Sequence, residues 1–137
     1  MGHLNLLPGG SKYFKRILAT ESNSLIGYWP QWESSGGISY DLSGRGNNGA
    51  YTGVTLGQPG IGDGRTSPLY DGTSDYCNTY SPALAAAFNG AEGTALIWAK
   101  VANAGVWTDG TFDTPVGIGA DTNNWVVLSK RSANNAL

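Results

Sequence analysis

Residues 25–64 read LIGYWPQWESSGGISYDLSGRGNNGAYTGVTLGQPGIGDG. Short apolar runs alternate with Gly, Asn, Asp and Ser, and no helical period runs through them. Brief runs bounded by turn-forming residues are the pattern of a β-domain. Within this stretch, Asp41-Leu42-Ser43-Gly44-Arg45-Gly46-Asn47-Asn48-Gly49 places Asp and Ser side chains where they can bond nearby backbone N–H groups. Its glycines permit left-handed turns, so the segment predicts a tight loop closing just before a strand.

Working outward, the pattern predicts strands over 25–29, 49–54, 68–71, 76–80, 94–102, 115–120 and 125–130. The run 94–102, TALIWAKVA, is apolar on both alternating faces except for Lys100, which predicts a central strand covered on both sides. Residues 81–88, SPALAAAF, carry a Ser cap, Pro at the first helical position and an alanine run, which predicts a short helix. Upstream, Ser11 caps a predicted helix over 11–21 whose Tyr13, Phe14, Ile17 and Leu18 share one face. The organisation expected is an arm and short helix over 1–22, then one β-domain over 23–137.

Composition agrees with that class. Charged residues make up 13% of the 137, against a usual share of roughly 25%. Low charge with 21 Gly, five Trp and seven Tyr describes a loop-rich β-protein rather than a helical or disordered one. A net charge of −2 with scattered Lys and Arg argues against nucleic acid as a partner. Cys77 is the sole cysteine, which excludes an intrachain disulfide. The start MGHLNLLPGGSKYFKR has no apolar run of a secretory leader, and no stretch is long and apolar enough for a membrane helix. The expected setting is therefore a virion component assembled inside the cell, or an extracellular module whose leader has been removed.

Three blocks in order carry a family resemblance. Residues 25–64 as quoted, LYDGTSDYCNTY at 69–80 and EGTALIWAKV at 92–101 resemble laminin-G-like, concanavalin A-like jelly-roll domains. With LGQPGIGDG at 56–64 and AGVWTDG at 104–110, the chain is most similar to the laminin-G-like proteins of tailed phages. The resemblance implies an all-β, two-sheet antiparallel jelly-roll sandwich with a short N-terminal helix. Tyr28, Trp29, Tyr70, Tyr76 and Trp98 are then the natural fillers between the sheets. Trp32 stands where the family more often carries a smaller residue, and relatives run on well beyond the point where SKRSANNAL ends this sequence. A sandwich stopped there leaves a sheet edge unpaired, so the expectation is either a fragment of a longer product, with the C-terminal part of the sandwich missing, or completion by neighbouring subunits, through the N-terminal arm and the open edge, in a homo-oligomeric assembly.

Three chemistries follow. The resemblance implies calcium as cofactor, with Asp41, Asn47, Asp71 and Asp75 as candidate oxygen ligands; the same residues serve equally as turn formers. Glycan recognition would use aromatic faces near turns, with Trp32, Trp107 and Asp109 as candidates and Trp125 a further one, packing or subunit contact being the alternative duty. Catalysis is not expected. His3 is the only histidine, Cys77 falls inside a predicted strand, and Glu21, Glu33 and Glu92 stand isolated, so neither a nucleophile–base system nor a carboxylate pair can be drawn. The function expected is a non-catalytic phage virion protein, in a head decoration or the tail. The alternatives are a calcium-dependent lectin or adhesin, or a self-assembling extracellular filament subunit.

Overall fold

The computed structural model describes residues 12–21, 23–88, 92–101, 103, 105, 113–119 and 125–130. They form seven strands and two helices: α1 (Lys12–Glu21), β1 (Ile38–Ser39), β2 (Gly49–Thr52), β3 (Thr55–Pro59), β4 (Thr66–Leu69), β5 (Tyr76–Asn78), α2 (Pro82–Ala87), β6 (Asp113–Gly119) and β7 (Trp125–Lys130). The architecture is strand-dominated, with small antiparallel sheets and two short helices. The chain divides into two compact units, Met1–Glu92 and Gly93–Leu137. None of the described helices is long and apolar enough to cross a membrane.

In the first unit β2 lies between β1 and β5, and β3 pairs with β4. Register places Ser39 opposite Gly49 and Tyr51 opposite Cys77. Because side chains alternate across a strand, these four share one face of the sheet. Ser39 and Gly49 are buried, Tyr51 and Cys77 half-buried, while their neighbours Ile38, Ala50, Thr52 and Tyr76 are exposed. The β3–β4 ladder shifts register between Thr55 and Gln58, and Gly57 there has φ of +75°, as an extra residue in a bulge requires. In the second unit β6 pairs with β7, with a shift between Asp113 and Val116 that spans Pro115. Proline has no N–H to give a ladder, so a bulge is where it fits.

The helix over 81–88 forms as the sequence predicts. Ser81 Oγ accepts from Leu84 N at 3.0 Å, Pro82 occupies the first turn and Phe88 N closes the last turn on Leu84 O. Helix α1 also forms, with Ile17 and Leu18 half-buried.

Two expected strands are absent. Residues 25–29 carry no ladder, because side chains and backbone of the loop after β1 bond their polar groups instead. Residues 94–101 are not in a sheet either. Leu96, Ile97 and Trp98 are 75%, 38% and 82% exposed, so the central strand covered on both sides is corrected. An apolar alternation records a capacity for burial, but a central strand also needs a partner on each edge, and among the described residues β6 and β7 pair only with each other. Of the aromatic fillers, Tyr28 and Trp29 are half-buried, whereas Tyr70, Tyr76 and Trp98 are exposed. No hydrophobic side chain among the described residues is fully buried; the buried side chains are Glu33, Ser39, Asp41 and Asn47. The interior described is polar.

Candidate functional site

Three polar assemblies organise the first unit. The first is built on Asp41, at the start of the loop after β1. Its Oδ1 accepts from Tyr28 N and Ser43 N, and its Oδ2 from Ser43 Oγ and Asn47 N, all between 2.8 and 2.9 Å. Asn47 extends the assembly: its Nδ2 donates to Ile26 O, its carbonyl accepts from Trp29 Nε1, and its Oδ1 accepts from Ser81 Oγ at 2.7 Å. Arg45 donates from Nε to Leu25 O and from Nη2 to Asn23 O. Residues 23–29 are thus held mainly by side chains, and the ladder expected over 25–29 is replaced by them and by the Leu42 N to Tyr28 O bond. Burial pushes the Asp41 carboxyl up, and the bonds from Ser43, Tyr28 and Asn47 outweigh it, leaving it below the ordinary carboxylate value.

The second assembly lies on the buried face of the β1–β2–β5 sheet. Glu33 accepts from Tyr40 N through Oε1 and from the Tyr51 hydroxyl through Oε2, both at 2.9 Å. Burial raises the Tyr51 phenol well above its ordinary value, and the Glu33 carboxylate adds to the rise. Burial likewise raises the Cys77 thiol and the Tyr70 phenol. None of these groups is poised to ionise near neutrality.

The third assembly is at the surface. The Arg65 guanidinium stacks on Trp32, its Cζ 3.5 Å from the ring centroid. Thr66 Oγ1, at the start of β4, donates to Trp32 O, and the Tyr70 hydroxyl, just past its end, donates to Gln31 Oε1 at 2.8 Å. Residues 31 and 32 are therefore fastened to β4 at both ends. Gln31 takes this position with φ of +54°, in the left-handed region that non-glycine residues enter at a cost.

The expected site residues divide accordingly. Trp32 is half-buried, with one ring face taken by Arg65. Trp107 and Asp109 lie outside the described residues, as do the N-terminal arm over 1–10 and the side chain of Trp125. Asp41 and Asn47 come together in one loop. Asp71 and Asp75 come together in another, where Asp71 accepts from the N–H groups of Thr73, Ser74 and Asp75, and Asp75 Oδ2 accepts from Asp71 N. Those bonds hold the exposed Asp71 carboxyl down at about 2. Each oxygen of Asp41 accepts two donors and Asp71 Oδ1 accepts three, whereas Asp71 Oδ2 accepts only Ser74 Oγ, at 3.2 Å, so at Asp41 a calcium ion would compete with bonds already made. Among the described residues no group of three or more His, Cys, Asp or Glu gathers as a metal site. The sequence carries no sign of a site at Arg65 or Gln31, and its pattern makes Tyr70 a filler between sheets rather than a surface residue. Arg65 follows Gly60-Ile61-Gly62-Asp63-Gly64, and nothing in that run announces a partner at Trp32.

Comparison with protein-family models, with curated proteins and with solved structures finds no match to this chain.

Proposed function

We propose that this chain is a non-catalytic subunit of a phage virion, in a head decoration or the tail, built on a laminin-G-like jelly-roll sandwich and recognising glycans at its surface. The observation that carries the assembly reading is the exposed apolar run Leu96, Ile97 and Trp98. Exposed side chains of that size mark an interaction surface, and burial is worth roughly 25 cal/mol per Å² of apolar area. A neighbouring copy that covered the run would gain that stabilisation. Support for the jelly roll comes from the antiparallel β1–β2–β5 sheet, its loop 41–49 and the sequence blocks above. The glycan reading rests on the Gln31–Trp32–Arg65–Tyr70 face.

Sedimentation of the full chain, with electron microscopy of the particle that contains it, tests the assembly reading. The expected result is a homo-oligomer at micromolar concentration and a regular lattice of copies, with Trp98→Ser shifting the chain toward monomer. A wild-type chain that stays monomeric and is absent from particles overturns it. The same surface face favours a second reading, a calcium-dependent lectin or adhesin working outside the cell. That reading predicts a monomer whose glycan affinity is lost in EDTA.

A further inference from the structure

We propose that the Gln31–Trp32–Arg65–Tyr70 face is a site for an acidic oligosaccharide, one whose sugars carry carboxylates as uronic acids do. The inference rests on the glycan reading above and names its ligand class.

Arg65 carries five N–H donors on a rigid planar fork. Among the described residues its side chain makes no hydrogen bond, and its charge partner is Asp63, whose Oδ2 forms a long ion pair with Nε at 4.0 Å that an incoming carboxylate would replace. Yet the side chain is only 28% exposed. A guanidinium drawn out of water by stacking on an indole, with its donors unspent, is pre-oriented for a bidentate carboxylate. Gln31 adds a second donor. Its Oε1 is engaged by the Tyr70 hydroxyl, which leaves Nε2 to give. A face whose unspent groups are donors selects a ligand rich in acceptors.

The make-up of the face argues for a saccharide over a small acid. The Arg65 guanidinium and the Tyr70 hydroxyl close on the adjacent residues Trp32 and Gln31, which sets charged and amide donors beside aromatic rings. A small carboxylate would use the guanidinium alone, whereas a pyranose that carries a carboxylate also presents hydroxyls and a ring face. Tyr70 is 36% exposed, its hydroxyl end buried against Gln31, and the open part of its ring can meet such a sugar face.

Calorimetric titration of the full chain tests this with an oligogalacturonate, its carboxyl-reduced neutral counterpart of equal length, and acetate. Saturable binding of the oligogalacturonate is expected, with the neutral oligomer at least about tenfold weaker. Arg65→Lys, which keeps the charge but loses the fork, should weaken the acidic ligand by about tenfold. Gln31→Glu, which sets a like charge against it, should weaken it too. Near-ultraviolet circular dichroism reports whether each variant is folded, and a folded Gln31→Glu carries the test should Arg65→Lys unfold. Equal affinity for acidic and neutral oligomers overturns the proposal and leaves the glycan reading standing. Binding of neither oligomer overturns both. Acetate competing at the oligomer's own concentration means a bare anion site and overturns it, as does an undiminished affinity in folded Gln31→Glu.

Discussion

Asp41 shows how much one carboxylate can organise. Truncating Asp41→Ala removes the acceptor for four donors, and the N–H groups of Tyr28 and Asn47 would be left without partners in a part-buried setting. The expected loss is roughly 2–4 kcal/mol, read from urea denaturation. Asp41→Asn keeps one acceptor oxygen and should cost less. Because the folded pKa is depressed, the stabilisation is complete above the ordinary value of 3.8 and is lost as pH falls through the lower folded value. Acid titration of the wild type should therefore show a steeper loss of stability below about pH 4 than Asp41→Asn, in which the loss due to Asp71 remains. Ser39 behaves in the opposite sense. Its side chain is wholly buried, and among the described residues its Oγ has no partner of good hydrogen-bond geometry, only the Tyr51 hydroxyl and the Cys77 thiol on the same face, so Ser39→Ala removes a poorly satisfied hydroxyl. Stability should stay level or rise by up to about 1 kcal/mol; a fall of that size would show that the hydroxyl is bonded after all.

At the scale of the element, α2 and the β2–β3 turn carry the clearest tests. Ser81 Oγ both caps α2 and donates to Asn47, so Ser81→Ala should cost about 1 kcal/mol in unfolding free energy and loosen the Asp41 loop as well. Hydrogen exchange at Asn47 N would report the second effect. Gly53 turns the chain between β2 and β3 with φ of +77°, and a Cβ there would fall 2.1 Å from Asp75 Oδ1. Gly53→Ala should destabilise by more than the 1 kcal/mol or so of the backbone term alone, and moving Asp75 should also weaken its bond to Asp71 N. These elements differ in how readable they were. Helix α2 was legible because Ser, Pro and Ala each act locally. Strands β2, β5 and β7 were legible from their apolar and β-branched content. Strand β3 was not, since its Gly57 and Pro59 read as turn residues and only the pairing with β4 overrides them. The run 25–29 looked like a strand because its polar partners, Asp41, Arg45 and Asn47, were read as serving their own loop alone. In the site, the turn duty of Asp41 and Asp71 could be read from spacing. The Arg65–Trp32 stack could not, because it depends on how two distant loops are brought together.

Across the whole molecule, the calcium question becomes a measurement of thermal stability. With the carboxylates of Asp41 and Asp71 already bonded to N–H donors, millimolar calcium or EDTA should leave Tm unchanged; a clear rise with calcium would mean that a loop opens to bind the ion, and would favour the lectin reading. The polar interior of the first unit has a further consequence, one that appears in calorimetry. The heat-capacity change of unfolding comes mainly from apolar surface newly exposed to water, while polar exposure lowers it. Among the described residues Ser39 is wholly buried and Glu33, Asp41 and Asn47 nearly so, while the apolar side chains are at most half-buried, so their unfolding releases less apolar surface than that of a domain with a hydrophobic core. The isolated chain should therefore unfold with a heat-capacity increment below the roughly 12–15 cal/mol/K per residue of ordinary domains, and its stability should vary little between cold and warm. Assembly through Leu96, Ile97 and Trp98 would restore the missing increment, so the curvature of stability with temperature becomes a property of the oligomer rather than of the fold.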